Sequence, residues 1–220
     1  MRAKKTLDRT RPAEERAPEI IRLLSRTYPD AHVALRFTTP LEMLVATILS
    51  AQCTDERVNS VTQTLFEKYR EPQDYLKVPE SELAAEIRPA GFFNQKTRSI
   101  RGACSRMVEA YGGEVPNTME DLVTLPGVAR KTANVVLGNA YGKVEGIAVD
   151  THVRRLANRL GLSEETDPDR IEQDLMRLVP RKRWFGFTYV LIDHGRAICE
   201  ARRPRCGDCP VEHVCPSSLV

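Results

Sequence analysis

Apolar side chains recur along this chain at intervals of three and four residues almost from end to end, the spacing that gives a helix one buried face. Val58, Val61, Leu65 and Tyr69 form one stripe; Ile100, Cys104, Met107, Val108 and Tyr111 a second; Ile171, Leu175 and Leu178 a third; Trp184, Phe187, Leu191 and Ile198 a fourth. Segment 41–49, LEMLVATIL, is apolar on nearly every side and predicts a central buried helix. No alternation of period two runs long enough to make a strand. Pro18, Pro40, Pro79, Pro89, Pro126, Pro168 and Pro180 stand beside these stripes, where proline starts or stops a helix. Glycines at 91, 112, 127, 142 and 161 fall near stripe ends, where a left-handed cap is wanted. The expectation is an all-α chain of about ten helices with short connections. No repeat at a fixed period supports a solenoid.

At 220 residues, with 41% apolar side chains, the chain can bury one large or two small cores. The first residues carry no apolar run of signal-peptide length, and no stretch approaches the roughly 18 apolar residues of a membrane span. A soluble, intracellular protein is expected. A net charge of +3 names no partner by itself, but both ends are locally basic. Residues 1–16 hold six Lys/Arg against three Asp/Glu, and residues 181–205 hold seven against two.

Four of the six cysteines fall within residues 199–215, CEARRPRCGDCPVEHVC. In a reducing compartment paired disulfides are disfavoured, so Cys199, Cys206, Cys209 and Cys215 form a candidate metal site. Four thiolates suit zinc or an iron–sulfur cluster. A zinc ribbon has two CxxC knuckles, whereas this loop has one, so spacing leans towards iron–sulfur without deciding. Cys53 and Cys104 lie in apolar helical stretches and read as buried small hydrophobes.

The segment LPGVARKTANVVL, residues 125–137, places a Pro-Gly reversal before a helix that carries Arg130 and Lys131 near its start. A glycine turn that ends at a helix N-terminus presents backbone N–H groups to a phosphate, although the same turn is also an ordinary helix–turn–helix corner. VDTHVRRL, from Val149, reads as an apolar lead-in followed by an N-cap aspartate, Asp150.

Together these segments resemble the endonuclease III branch of DNA base-excision glycosylases. LPGVARKTANVVL resembles the family's helix-hairpin-helix, and VDTHVRRLANRLGL the segment that follows it. LSAQCTD (49–55) and GFFNQKTRSI (91–100) resemble two further segments in the family's order, and the terminal cysteines match its iron–sulfur loop. The resemblance runs from about residue 18 to 216. It departs at Ala129, where many members have a second glycine; a methyl group there is tolerable if the residue is helical.

The resemblance implies two helical lobes. Residues 33–143 would form a six-helix barrel containing the hairpin (about 118–141). Residues 18–32 and 144–220 would form an iron–sulfur domain built from both termini, behind a basic flexible tail, 1–17. It implies a [4Fe-4S] cluster on Cys199, Cys206, Cys209 and Cys215, and a bifunctional DNA N-glycosylase and abasic-site lyase acting on oxidised pyrimidines in a cleft between the lobes. Lys131 would attack the sugar and form a Schiff base, which requires its unprotonated amine, and Asp150 would stabilise the cationic sugar. Gln52 would fill the gap left by the extruded base, and Phe92 would act as the wedge unless Phe93 is the exposed ring. Leu125, Gly127, Ala129 and Arg130 of the hairpin, with Arg202, Arg203 and Arg205 of the cysteine loop, would contact DNA; Thr151, His152 and Arg154 would support the site. The partner would be duplex DNA with damaged pyrimidines or abasic sites, met by a monomer in the cytoplasm, at the nucleoid of a prokaryote.

Two rivals remain. An adenine-excising relative shares fold and cluster but lacks the hairpin lysine and has a glutamate a turn before its glutamine, where this chain has Thr47, Ile48 and Leu49. A non-catalytic DNA-binding module would use hairpin and metal loop only for grip.

Overall fold

The computed structural model describes residues 8–220, and every regular element among them is helical. The α-helices are α1 (Ala13–Thr27), α2 (Pro40–Leu49), α3 (Asp55–Lys68), α4 (Pro72–Lys77), α5 (Glu80–Glu86), α6 (Phe93–Ala110), α7 (Met119–Leu122), α8 (Arg130–Tyr141), α9 (Thr151–Arg159), α10 (Pro168–Leu178) and α11 (Trp184–Ala197). Short 3₁₀ turns lie at Arg88–Ala90, Arg181–Arg183, Cys206–Asp208 and Glu212–Val214.

The described chain divides into two units, one of residues 33–145 and one of residues 8–32 with 146–220. The first holds α2–α8. Its expected six helices are obtained when α4 and α5 are counted as one stretch, interrupted because Pro79 cannot continue α4 and instead sits as the N-cap of α5. Helix α2 packs against α3, α6 and α8. Met43, Leu44 and Leu49 are fully buried there, as the all-round apolar segment 41–49 predicts. Thr39 caps α2 by accepting from the Glu42 N–H at 3.2 Å, and Pro40 fills the first helical position.

In the second unit α1 packs on α10 and α11, and α9 packs on both. Ile20, Leu24, Ile147, Val153, Leu156, Ile171, Leu175 and Leu191 form its core. The expected tail, residues 1–17, overlaps helix α1. Residues 1–7 lie outside the described residues, and helix α1 begins at Ala13 because Arg16 and Ala17 are buried. Arg16 donates to the carbonyls of Leu160 (2.6 Å), Val214 (3.0 Å) and Gly161 (3.0 Å). Charge-assisted bonds of this kind, each worth about 1.5–3 kcal/mol, hold the start of α1 in place. Pro18 lies inside α1, not at its edge; it is exposed, so the carbonyl deprived of a partner can meet water. No helix among the described residues is long and apolar enough to cross a membrane.

Candidate functional site

The hairpin comprises the single turn α7, the reversal at 123–129 and α8. Its shape is fixed by Gly127, whose φ of +80° lies in the left-handed region. A β-carbon there would stand 2.5 Å from Ser99 Cβ, so the turn can seat against α6 only because residue 127 is glycine. Gly102 of α6 likewise makes room for Pro126. The sequence places Leu125 among the DNA-contacting residues. The structure buries it, and within the turn its N–H donates to Leu122 at 3.1 Å and its carbonyl accepts from Val128 at 3.0 Å. Leu125 therefore shapes the turn from the core side.

Ala129 is the N-cap of α8, extended (φ −89°, ψ 171°) rather than helical. Its methyl group costs no backbone strain at this negative φ, and it is exposed. A methyl side chain cannot cap, so no N-cap side chain accepts from the first N–H groups of α8, and a helix start of this kind favours an anion. Arg130 and Lys131 are the first two residues of this helix, both half-buried.

Asp150, in the other unit, is the N-cap of α9: its Oδ1 accepts from the Val153 N–H at 2.8 Å. The bond fixes the carboxylate's orientation and leaves its second oxygen for other work. On α9, His152 and Arg155 pack against Gly195 of α11, where a β-carbon would stand 2.8 Å from an Arg155 nitrogen.

Among the described residues only two non-glycines have positive φ, Gln52 (+52°) and Phe92 (+46°). Left-handed backbone costs an L-residue roughly 1–2 kcal/mol, and such strain gathers at functional sites. Both residues are exposed, Phe92 at 61%. The ring that projects is therefore Phe92, while Phe93 is half-buried with Arg88 stacked 5.8 Å from its centroid. Cys53, beside Gln52, is half-buried rather than core, because α2 has already ended at Leu49; Cys104, on α6, is core.

Cys199, Cys206, Cys209 and Cys215 line one cavity of about 250 Å³, together with Arg159, His194, Arg202 and Arg205. Burial, reinforced by the other three cysteines, pushes the Cys209 thiol up to about 11; burial and the neighbouring sulfurs push Cys215 up as well. A bound cation would offset both effects and favour the thiolates of Cys209 and Cys215. Among the described residues no group of three or more His, Cys, Asp or Glu stands arranged to hold a metal ion.

Residues that the sequence reading missed hold this loop. Arg159 donates to the carbonyls of Glu200 and Ala201, both at 2.7 Å, and reaches Cys199 Sγ at 3.5 Å. Arg155 donates to the carbonyls of Gly195 (2.9 Å) and Cys199 (3.2 Å). His194 is fully buried, and burial pulls its pKa down to about 4, so the ring is neutral near pH 7. Its Nδ1 lies 3.1 Å from the Tyr28 hydroxyl and its Nε2 3.5 Å from Cys209 Sγ. The i, i+4 spacing of Arg155 and Arg159 was the available signal, but charged pairs on a helix usually mark a solvated face. Arg202, Arg203 and Arg205 are exposed; Arg205 is partly tied back, donating to the Ala197 carbonyl and lying 3.7 Å from Asp208.

Over residues 45–181 the sequence matches the HhH-GPD superfamily of base excision DNA repair proteins. It is 53% identical over 205 residues to endonuclease III of Synechocystis sp., covering 93% of this chain and 94% of that protein. It is 47% identical over 189 residues to endonuclease III of Bacillus subtilis, covering 86% of each. The structure is similar to that of a trapped endonuclease III–DNA covalent intermediate in an estranged-adenine complex, with a TM-score of 0.90, 42% identity and coverage of 93% and 96%. Sequence and fold agree over nearly the whole length of both chains: this protein belongs to the HhH-GPD superfamily of base excision DNA repair proteins, in its endonuclease III branch.

Proposed function

We infer that the chain is a DNA glycosylase and abasic-site lyase of base excision repair that removes oxidised pyrimidines from duplex DNA. The observation that carries the reading is Lys131, placed at the second position of α8 directly after the hairpin turn. A strand whose phosphate sits on that turn brings a sugar within a short reach of an amine on the same helix end. The Nζ of Lys131 bonds to C1′ as the glycosidic bond breaks, and the base leaves with the bonding electrons and takes up a proton. The amine gives up a proton and the sugar ring opens, the C1′–O4′ bond breaking as O4′ takes up a proton, which leaves an iminium at C1′; the iminium makes the C2′ proton acidic, and its loss expels the 3′ phosphate and cuts the strand. Asp150, held by its cap bond, offsets positive charge on the sugar and accepts protons. The left-handed Gln52 and the exposed Phe92 suit the tasks of filling the vacated stack and unstacking the neighbours.

The four cysteines suit a [4Fe-4S] cluster. All four line one cavity, and their single CxxC departs from the two knuckles of a zinc ribbon. Bound there, the cluster would supply a rigid cross-link for the loop of Arg202, Arg203 and Arg205, which could then meet phosphates. The enzyme would act as a monomer at cytoplasmic, nucleoid-associated DNA.

Reductive trapping tests the reading. With borohydride and an abasic-site duplex the wild-type chain should form a stable protein–DNA adduct, and Lys131→Ala should form none. An adduct that persists in that variant moves the nucleophile elsewhere. Excision of adenine rather than an oxidised pyrimidine would favour the adenine-excising relative, although the presence of Lys131 argues against it.

A further inference from the structure

The two strained residues belong to segments separated by some forty positions in sequence, and one buried cation joins them. Lys96, on the first turns of α6, is 4% exposed. Its Nζ donates to the Leu49 carbonyl at 2.8 Å and to the Ala90 carbonyl at 2.9 Å. Leu49 ends α2, three residues before Gln52; Ala90 ends the 3₁₀ turn, two residues before Phe92. The backbone N–H of Lys96 also donates to the Phe92 carbonyl at 3.1 Å, so this residue grips the Gly91-Phe92 corner from both sides.

The carbonyls it engages are the kind that helix ends leave without an intrahelical donor, and they carry the negative end of the helix dipole. An ammonium between two such ends is favoured electrostatically, which is how an otherwise costly buried lysine is retained. Burial pulls its pKa below the ordinary lysine range.

We propose that Lys96 is a positioning residue for base extrusion, clamping the Gln52 and Phe92 segments in register so that both enter the duplex as one rigid unit. The proposal rests on the reading of Gln52 and Phe92 given above. A strained backbone conformation persists only when its surroundings over-determine it, and Lys96 supplies a shared constraint on both. Preorganised in this way, plug and wedge need no ordering at the moment the stack opens.

The test uses the full-length protein with Lys96→Met, which keeps the volume and removes the donors. Leu83→Ala, a fully buried position on α5, serves as a comparably destabilised control. Hydrogen exchange reports on the clamp alone: amides 51–53 and 91–93 should open at least about tenfold faster in Lys96→Met than in the control. Single-turnover excision of an oxidised pyrimidine paired in duplex should fall at least about tenfold with DNA affinity little changed, and the loss should shrink when the lesion sits in an unpaired bubble. If Lys96→Met does not fold, Lys96→Gln replaces it with a shorter donor. Exchange equal to the control's at both segments overturns the proposal while leaving the reading of Gln52 and Phe92 intact. Fast exchange with unimpaired excision, alongside fully active Gln52→Ala and Phe92→Ala, overturns that reading and the proposal with it.

Discussion

Replacing Gly127 by alanine should damage this protein by two separable routes. The first is conformational: at φ +80° an L-residue loses roughly 1–2 kcal/mol relative to its preferred backbone. The second is steric. The new β-carbon would lie 2.5 Å from Ser99 Cβ and 2.7 Å from its Oγ, where carbon atoms prefer about 3.5–4.0 Å. The β-carbon of Ser99 is fixed to α6 and cannot swing away, so the turn must shift, at an overpacking cost of about 1–3 kcal/mol. The two routes add to about 2–5 kcal/mol. In urea, with a slope of about 1–3 kcal/mol per molar, the midpoint should fall by one to two molar units or so. A double-mutant cycle separates the routes. Ser99→Gly alone should cost about 1 kcal/mol in the helix interior, yet in the Gly127→Ala background it should return most of the overlap, a coupling of about 1–3 kcal/mol. Additive losses would refute the contact, and a Gly127→Ala loss below about 0.5 kcal/mol would refute both routes.

Asp150→Asn should keep the α9 cap, so stability should change by only a few tenths of a kcal/mol, while excision falls at least about a hundredfold; Asp150→Ala should lose a further ~1 kcal/mol of stability by chemical denaturation. Equal stability losses in the two variants would show that Asp150 does not cap. Cys104, buried with its thiol pushed up to about 12, should resist iodoacetamide in the native protein at pH 8 and react only after unfolding, as read by mass spectrometry. Anaerobically purified protein should contain iron and acid-labile sulfide in about equal amounts, near four of each per chain, and Cys206→Ser should lower both; zinc without sulfide would overturn the cluster.

Much of the fold was written in apolar spacing, because a helix must bury one stripe wherever it packs. The limits of that signal are equally physical. Val108 belongs to the stripe of Ile100, Cys104 and Met107 by count, yet it is 36% exposed. At about 100° per residue it lies some 80° around α6 from Ile100, at the edge of the buried face. Pro18 reads as a helix boundary but sits inside α1, since its missing bond faces water. Polar residues whose partners are backbone carbonyls left no trace in the pattern. Arg16, Arg155 and Arg159 look like solvated charge, and only the folded chain shows the loop ends they hold.

The same blindness extends to the most informative geometry of the candidate site. Family resemblance singled out Gln52 and Phe92, but no composition or period says that their backbones are left-handed, because neither residue type favours that conformation. Glycine would adopt it without strain, and it would then bring flexibility and no side chain to a position whose proposed work needs a projecting group. A projecting side chain on a sharply turned backbone has to be held there by contacts made elsewhere. Lys96, remote in sequence from Leu49 and closing both segments from beneath, is where those contacts converge. A lysine in NQKTRSI reads as surface until its two carbonyl partners are known, so the residue that orders the exposed tools was the one least visible in the sequence.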